Sequence, residues 1–199
     1  MKLARLIAVA LVASLALACG CDSGPGSKTP FTATDVTGSP MHGDFRLVDQ
    51  DGKERTLADF RGKVVVVAFG FTQCPDICPT TLANLASTMK QLGPDASQVQ
   101  VLFITVDPKR DTPELLRQYV GAFSPAFIGL TGDPAAVAKV AKDYNMYVAE
   151  RPGKAPGEYT VDHATQMYAF DRQGRVRLVI AHGTPTAAMA SDLRILLNS

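Results

Sequence analysis

The sequence predicts an α/β fold in which helices flank a central mixed sheet. Two short runs, Val64–Phe69 and Val99–Val106, are apolar and rich in β-branched residues, as buried strands are. Later segments begin with a helix-capping residue followed by proline, at positions 112–113 and 133–134. Strands that alternate with such helical segments predict parallel strands joined by helical crossovers.

The elements follow in a regular order along the chain. They are a hairpin of residues 45–49 and 55–57, a strand at Val64–Phe69, a helix at Pro79–Leu92, a strand at Val99–Val106, a helix from Pro113 to about Phe123, a strand at Phe127–Leu130, a helix from Pro134 to about Tyr144, strands at Thr165–Phe170 and Arg175–Ala181, and a helix from Thr184 to about Leu197. Residues 151–159 hold two prolines and two glycines among charges and predict an exposed, irregular excursion. A βαβ half followed by a ββα half, with two cysteines after the first central strand, predicts a thioredoxin-like layout.

The first 20 residues have the pattern of a secretory signal. Lys2 and Arg5 precede an apolar stretch, Leu6–Ala18, that is too short for a typical transmembrane helix. Small residues followed by Cys19 and Cys21 resemble a bacterial lipobox, in which the cysteine becomes the lipidated first residue of the mature protein. Cleavage before either cysteine fits, and cleavage before Cys21 leaves no unpaired thiol beside the lipid. An ordinary signal peptide with incidental cysteines is the alternative.

Residues 21–40 are rich in Gly, Ser, Thr and Pro, and they predict a flexible tether before a folded domain at 41–199. Asp22, in second place after cleavage before Cys21, resembles an inner-membrane retention signal of bacterial lipoproteins. We therefore expect a periplasmic domain held to the inner membrane by a lipid. The net charge of +1, without a basic stripe, argues against nucleic acid as a partner.

Two cysteines lie where the first central strand passes into the first long helix. Cys74 and Cys78 stand in the segment Phe71–Pro79. Peptide N–H groups and the positive end of the helix dipole favour thiolate over thiol at such a place. Thiolates there do redox chemistry or bind a soft metal. A purely structural disulfide is less favoured, because closing so short a loop removes little entropy from the unfolded chain.

The spacing of the two cysteines is compatible with a redox-active pair and with a metal-binding pair. Three residues separate Cys74 from Cys78, against two in thioredoxin redox motifs. Positions i and i+4 face the same way on a helix, so both sulfurs can converge on one point. Two thiolates suit Cu(I), a soft ion. Spacing alone does not distinguish a redox-active pair from a metal-binding pair. A third metal ligand nearby would favour the metal-binding pair.

His163 is the predicted third ligand. It lies just ahead of a core strand, where the thioredoxin fold brings a loop close to the thiol motif. Imidazole is a good copper ligand, and Asp162 is predicted to steady the loop or the ring by hydrogen bonding. The alternative is a histidine that satisfies the backbone of its own loop. His42 and His182 have no comparable position and are predicted to be surface or capping residues.

These segments together resemble the Sco/SenC family. The resemblance rests on Phe69–Thr80, Thr105–Pro113, Val161–His163 and Asp59–Lys63, and it extends over about residues 43–197. It implies a thioredoxin-like, membrane-tied copper-binding protein that helps to assemble the binuclear copper centre of cytochrome c oxidase. Such proteins hold copper with two cysteines and one histidine.

Carried over to this chain, the resemblance implies that Cys74, Cys78 and His163 hold one copper ion, as Cu(I) or Cu(II), and that the cysteines also form a redox-active disulfide. The implied partner is the copper-site subunit of cytochrome c oxidase. A second periplasmic copper chaperone or a thiol reductase is a further candidate partner. Asp76, between the thiols, is predicted to orient the loop or meet the partner, or to serve only as a turn residue.

Other functions would use the same cysteines. A thiol–disulfide oxidoreductase, acting on the copper-ligand cysteines of the oxidase or on other periplasmic disulfides, would not need His163. A peroxidase of the peroxiredoxin type fits less well, because Thr72 lies two residues before Cys74 instead of three. A copper sensor or scavenger would bind the metal without delivering it. An activity test on His163→Ala and a transfer assay separate these alternatives.

Overall fold

The computed structural model describes residues 30–41 and 43–199, which contain an eight-stranded mixed sheet and a separate two-stranded sheet. The strands are β1 (Thr34–Asp35), β2 (Arg46–Asp49), β3 (Glu54–Thr56), β4 (Val64–Gly70), β5 (Val99–Thr105), β6 (Ile128–Thr131), β7 (Val148–Pro152), β8 (Tyr159–His163), β9 (Met167–Phe170) and β10 (Val176–Ile180). The α-helices are α1 (Ile77–Leu92), α2 (Pro113–Gly121), α3 (Pro134–Asp143) and α4 (Thr186–Leu197), and short 3₁₀ helices span Leu57–Phe60 and Gly93–Gln98.

The large sheet has the strand order β1-β10-β9-β4-β5-β6-β2-β3. Its central strands β4 and β5 are parallel, and every residue in them is buried. Such continuously apolar strands need cover on both faces. Helices α1 and α4 pack together, and α2 packs on β6. Strand β9 runs antiparallel to β4 and to β10, so the predicted βαβ half and ββα half of a thioredoxin-like fold are confirmed.

Two of the predicted helix starts have the expected capping geometry. The Thr112 hydroxyl accepts the amide N–H of Leu115 (3.3 Å), and the Asp133 carboxylate accepts that of Ala136 (2.9 Å). In both helices proline occupies the first turn, where no amide donor is needed. These local signals therefore mark where each helix begins, while packing of its apolar face stabilises it.

Helix α1 begins two residues earlier than the predicted Pro79, at Ile77. Proline within the first turn loses no helical hydrogen bond, so Pro79 does not mark the boundary. As a consequence Cys78 belongs to the first turn of the helix, while Cys74 lies in the loop before it.

The predicted irregular excursion at 151–159 is wrong at its ends, because residues 151, 152 and 159 belong to the strands of a β-hairpin, whereas residues 153–158 form its exposed turn. Strand β7 pairs antiparallel with β8, from Val148 opposite His163 to Pro152 opposite Tyr159. Most of β7 is exposed, and the Pro- and Gly-containing turn between the strands hides the strand pattern in the sequence. His163 is therefore the last residue of a strand instead of a loop residue. We call residues 148–163 the histidine hairpin.

The described part of the predicted tether is docked on the domain. Strand β1 adds to the edge of the sheet beside β10. The amides of Thr32 and Ala33 donate to the two carboxylate oxygens of Asp192 on α4, at 2.9 and 2.8 Å. Residues 21–29 lie outside the described residues, as do the predicted leader, Cys19 and Cys21. Across residues 30–41 and 43–199, no helix is long and apolar enough to cross a membrane.

Candidate metal centre

The two cysteines lie at the carboxyl end of β4, on either side of the start of α1. Cys74 is half-buried and Cys78 is buried, and both are free thiols. The Cys78 amide N–H points at the sulfur of Cys74, with an N–S distance of 3.4 Å. An amide donor of the first helical turn therefore contacts Cys74, as the strand-to-helix position predicts.

His163 reaches the cysteine pair from the end of β8. Its Nε2 lies 3.6 Å from the sulfur of Cys78, and its Nδ1 lies 2.8 Å from the carbonyl oxygen of Ala164. A carbonyl can only accept, so Nδ1 carries the proton in the neutral ring. The lone pair of Nε2 is then directed at Cys78. The edge-on ring of Phe71, 6.0 Å away between centroids, packs beside the imidazole.

Burial keeps this pair uncharged. It raises the pKa of the Cys78 thiol well above its usual value, and the contact with Cys74 adds to the rise. Burial also lowers the pKa of His163 below its usual value. At Cys78, burial thus acts against the thiolate that the start of the helix was expected to favour. The S–H group of Cys78 is suitably placed to donate to Nε2.

The site is only partly assembled. Among the residues that the structure describes, no three His, Cys, Asp or Glu side chains already form a metal-ligating group. Cys74 contacts the amide of Cys78, and it borders a cavity of about 280 Å³ that also reaches His163. Cys74 and His163 thus border the same cavity, and each of them contacts Cys78.

The other predicted site residues lie near the centre without entering it. Asp76 is exposed at the start of α1, and its side chain makes no capping hydrogen bond. Asp162 forms an exposed ion pair with Arg151 across the histidine hairpin (2.8 Å), so it steadies the hairpin and not the ring. His182 contacts the hydroxyl of Thr81 through Nδ1 (3.2 Å). His42 lies outside the described residues.

Sequence reasoning did not predict which contacts hold the thiol loop in place. The buried Asp111 carboxylate accepts hydrogen bonds from the amide and the hydroxyl of Thr72, at 3.0 and 2.6 Å, and from the hydroxyl of Thr105, at 2.6 Å. Burial raises the pKa of Asp111. Nothing in the spacing of these residues signals the contact, because Thr72 and Asp111 are 39 positions apart.

The fold and this arrangement define a thioredoxin-like protein in which an imidazole, instead of a third thiol or a carboxylate, faces the cysteine pair. Comparison with known proteins then identifies the family. The model of the SCO1/SenC family matches residues 33–198. The chain belongs to the SCO1/SenC family, which confirms the resemblance noted in its sequence.

Among proteins of known name, the chain is similar to the mitochondrial protein SCO2 homolog of Bos taurus. The two are 44% identical over 134 residues, which cover 66% of this chain and 50% of the bovine protein. The chain thus spans about half the length of the first curated relatives that it matches.

Solved structures agree with this assignment. The copper-bound ScoI of Bradyrhizobium japonicum matches with a TM-score of 0.73 and 40% identity, covering 79% of this chain and 99% of ScoI. A SCO1/SenC family lipoprotein of Bacillus anthracis matches with a TM-score of 0.67 and 31% identity, covering 77% and 92%. BsSco, described as having a disulfide switch and as a member of the Sco family of cytochrome c oxidase assembly proteins, matches with a TM-score of 0.61 and 26% identity, covering 78% and 92%.

Proposed function

We propose that this protein is an extracytoplasmic, membrane-tethered copper chaperone. It binds one copper ion and delivers copper to, or prepares the thiols of, the binuclear copper site of cytochrome c oxidase. The observation that carries the proposal is the contact of His163 Nε2 with Cys78, in a ring whose Nδ1 is already held by a carbonyl. The lipobox-like cysteines support a lipid tether, and Asp22 directly after Cys21 supports the inner membrane as its site.

The donor set fits copper. Two sulfurs suit soft Cu(I), and an imidazole nitrogen also suits Cu(II). A hydrogen bond on Nδ1 orients the ring and makes Nε2 a better ligand, as in many metal sites. Cys78 is protonated in the metal-free protein, so copper binding there displaces a proton. We therefore assign Cys74, Cys78 and His163 as the copper ligands.

The difference in exposure between the two cysteines suggests an order of transfer. Cys78 is 2% exposed, whereas Cys74 is half-buried beside an open cavity. Cys74 borders this cavity whereas Cys78 is enclosed, so we expect a partner thiolate to exchange with the Cys74 sulfur before the Cys78 sulfur. Without copper, the same pair can close to a disulfide. Its two thiols are then oxidised as a partner disulfide is reduced to two thiols.

A Cu(I) titration against a competing chelator tests the proposal. We would use the reduced chain without residues 1–20, with Cys74→Ala, Cys78→Ala and His163→Ala beside it. We expect tight one-to-one binding, its loss in either cysteine variant, and weaker binding in His163→Ala. His182→Ala is the matched control, because this histidine contacts Thr81 and not the thiols, and it should bind as the parent chain does.

The outcome also decides the alternatives. Weak copper binding by the parent chain, or equal affinity in the parent chain and His163→Ala, would overturn the three-ligand site. Thiol–disulfide exchange would then be the better-supported function. An oxidase fragment with its copper-ligand cysteines, either reduced or as a disulfide, then separates the roles. Delivery requires copper to move to the reduced fragment, reductase activity requires reduction of the disulfide, and a sensor or scavenger does neither.

A further inference from the structure

The loop between β5 and α2, residues 106–112, carries no predicted ligand, yet it contacts both elements that do. We call it the coupling loop. On its inner side Asp111 accepts the amide and hydroxyl of Thr72, two residues before Cys74. On its outer side Arg110 reaches the histidine hairpin. One short loop thus lies between the thiols and the imidazole.

Arg110 joins the two elements through a single nitrogen. Its Nη1 donates to the side-chain oxygen of Gln73 (3.0 Å) and to the carbonyl oxygen of Tyr159 (2.9 Å). Gln73 is the residue directly before Cys74, and Tyr159 is the first residue of the strand that ends at His163. A displacement of either element from the other must break one of these hydrogen bonds.

The hairpin end of this link is a closed cluster of three side chains. The Arg110 guanidinium stacks on the Tyr159 ring, 3.7 Å from its centroid, and its Nε donates to the Asp107 carboxylate. The Tyr159 hydroxyl donates to the same carboxylate (2.8 Å). The Asp107 side chain is 2% exposed and that of Arg110 is 22% exposed, so solvent screens this cluster little.

A second ionic contact joins the coupling loop to the hairpin, but it is more exposed to solvent than the Arg110–Asp107 pair. Lys109 pairs with Glu150 on β7, but both side chains are more than half exposed. Exposed pairs of this kind contribute little to stability. The Arg110 cluster therefore carries the main polar attachment of the hairpin to the coupling loop.

We propose that Arg110 is a positioning residue for the metal centre, holding the histidine hairpin against the thiol loop so that His163 faces Cys78. Arg110 touches neither sulfur nor imidazole, and it acts through Gln73 and Tyr159. The expected effect of Arg110 on copper binding rests on the proposed function, whereas its role in holding the histidine hairpin against the thiol loop does not. Without Arg110, the two thiols remain able to bind Cu(I), and only the contribution of His163 is lost.

Hydrogen exchange of the metal-free protein tests whether Arg110 holds the histidine hairpin in place. In Arg110→Gln, we expect amides of residues 148–163 to exchange about tenfold faster or more, with β4 and β5 unchanged, because charge-assisted hydrogen bonds are lost. Arg117→Gln is the matched control. Arg117 also joins two elements, through Asp51 (3.1 Å), but away from the thiols. Unchanged exchange in the hairpin of Arg110→Gln would overturn the proposal.

Two further variants, Arg110→Lys and Tyr159→Phe, test which contacts of Arg110 hold the hairpin. Arg110→Lys should not restore the parent exchange rate, because one ammonium group cannot reproduce the planar fork and the ring stacking. If Arg110→Gln does not fold, Tyr159→Phe removes only the hydroxyl bond to Asp107, and it should give a smaller acceleration in the same residues. An acceleration spread over the whole chain instead would mean a general loss of stability and would contradict the proposal.

A double-mutant cycle tests the metal part. Arg110→Gln should weaken Cu(I) binding no more than His163→Ala does, and the double variant should bind no more weakly than His163→Ala alone. Additive losses would show that Arg110 acts independently of His163 and would overturn the inference. If the parent chain itself fails to bind copper, the proposed function fails, while the exchange experiment still decides whether Arg110 seats the hairpin.

Discussion

A methyl group at Gly70 should disturb the buried sulfur of Cys78. Gly70 ends β4 directly beneath the first turn of α1. A β-carbon at this position would lie 2.7 Å from the Cys78 sulfur and 2.7 and 2.9 Å from two ring carbons of Phe103. Favourable contacts between carbon atoms lie at about 3.5–4.0 Å. Gly70→Ala therefore creates an overlap of roughly 1 Å with two neighbours at once.

Neither neighbour has room to move. Cys78 is 2% exposed and Phe103 is 1% exposed, so each is enclosed by other core side chains. Overpacking of a filled core costs about 1–3 kcal/mol. Replacing glycine by alanine also restricts the unfolded chain, which offsets about 0.4–1 kcal/mol of that cost. We expect a net loss of about 1–2 kcal/mol in the free energy of unfolding.

Urea denaturation of the reduced protein measures this loss. Gly121→Ala is the matched control, because Gly121 ends α2 and an added β-carbon there meets no atom within 4 Å. The control should be as stable as the parent chain, or more stable by up to about 1 kcal/mol. If Gly70→Ala were as stable as Gly121→Ala, the sulfur of Cys78 and the Phe103 ring would not be packed against β4 as the structure has them.

Two further predictions concern charge and hydrogen bonding. Because burial raises the pKa of Cys78, the stabilisation from its protonated form is complete below the usual thiol pKa of about 8.5 and is lost as the pH rises above it. Urea denaturation of the reduced, metal-free protein from pH 8 to 10 should show this fall in the free energy of unfolding. An equal fall in Cys78→Ala would show that Cys78 is not its source. Asp111→Ala leaves the donors of Thr72 and Thr105 without an acceptor, so urea denaturation should show a loss of about 1–3 kcal/mol for each buried donor. Asp76→Ala, at an exposed position without a capping bond, should change stability by at most about 0.5 kcal/mol, and a comparable loss in both variants would count against the Asp111 network.

Elements with strong local signals were predictable. The apolar runs of β4 and β5 and the capped starts at Thr112 and Asp133 are encoded within a few consecutive residues. The histidine hairpin was not predictable in the same way. Its strands carry exposed charges around a turn with Pro and Gly, and their pairing depends on contacts with each other and with the coupling loop. Such nonlocal pairing leaves little periodicity to read.

The N-terminal segment shows a similar limit. Composition rich in Gly, Ser, Thr and Pro predicted a tether through residue 40, yet Thr32 and Ala33 are held by the carboxylate of Asp192. One buried acceptor, about 160 positions away in the chain, holds this part of the segment against α4. Composition reports the average behaviour of a segment and is insensitive to a single distant partner.

The sequence by itself determined the order of the elements, the cysteine pair at a strand-to-helix junction, and His163 as the third candidate ligand. It could do so because these features depend on local patterns and on the resemblance to the SCO1/SenC family. Only the tertiary structure decided that Nε2 of His163 meets Cys78, 85 positions away, while the carbonyl of Ala164 holds Nδ1. It also decided that the pKa of the Cys78 thiol is raised, because desolvation depends on everything packed around a sulfur and not on its neighbours in the chain.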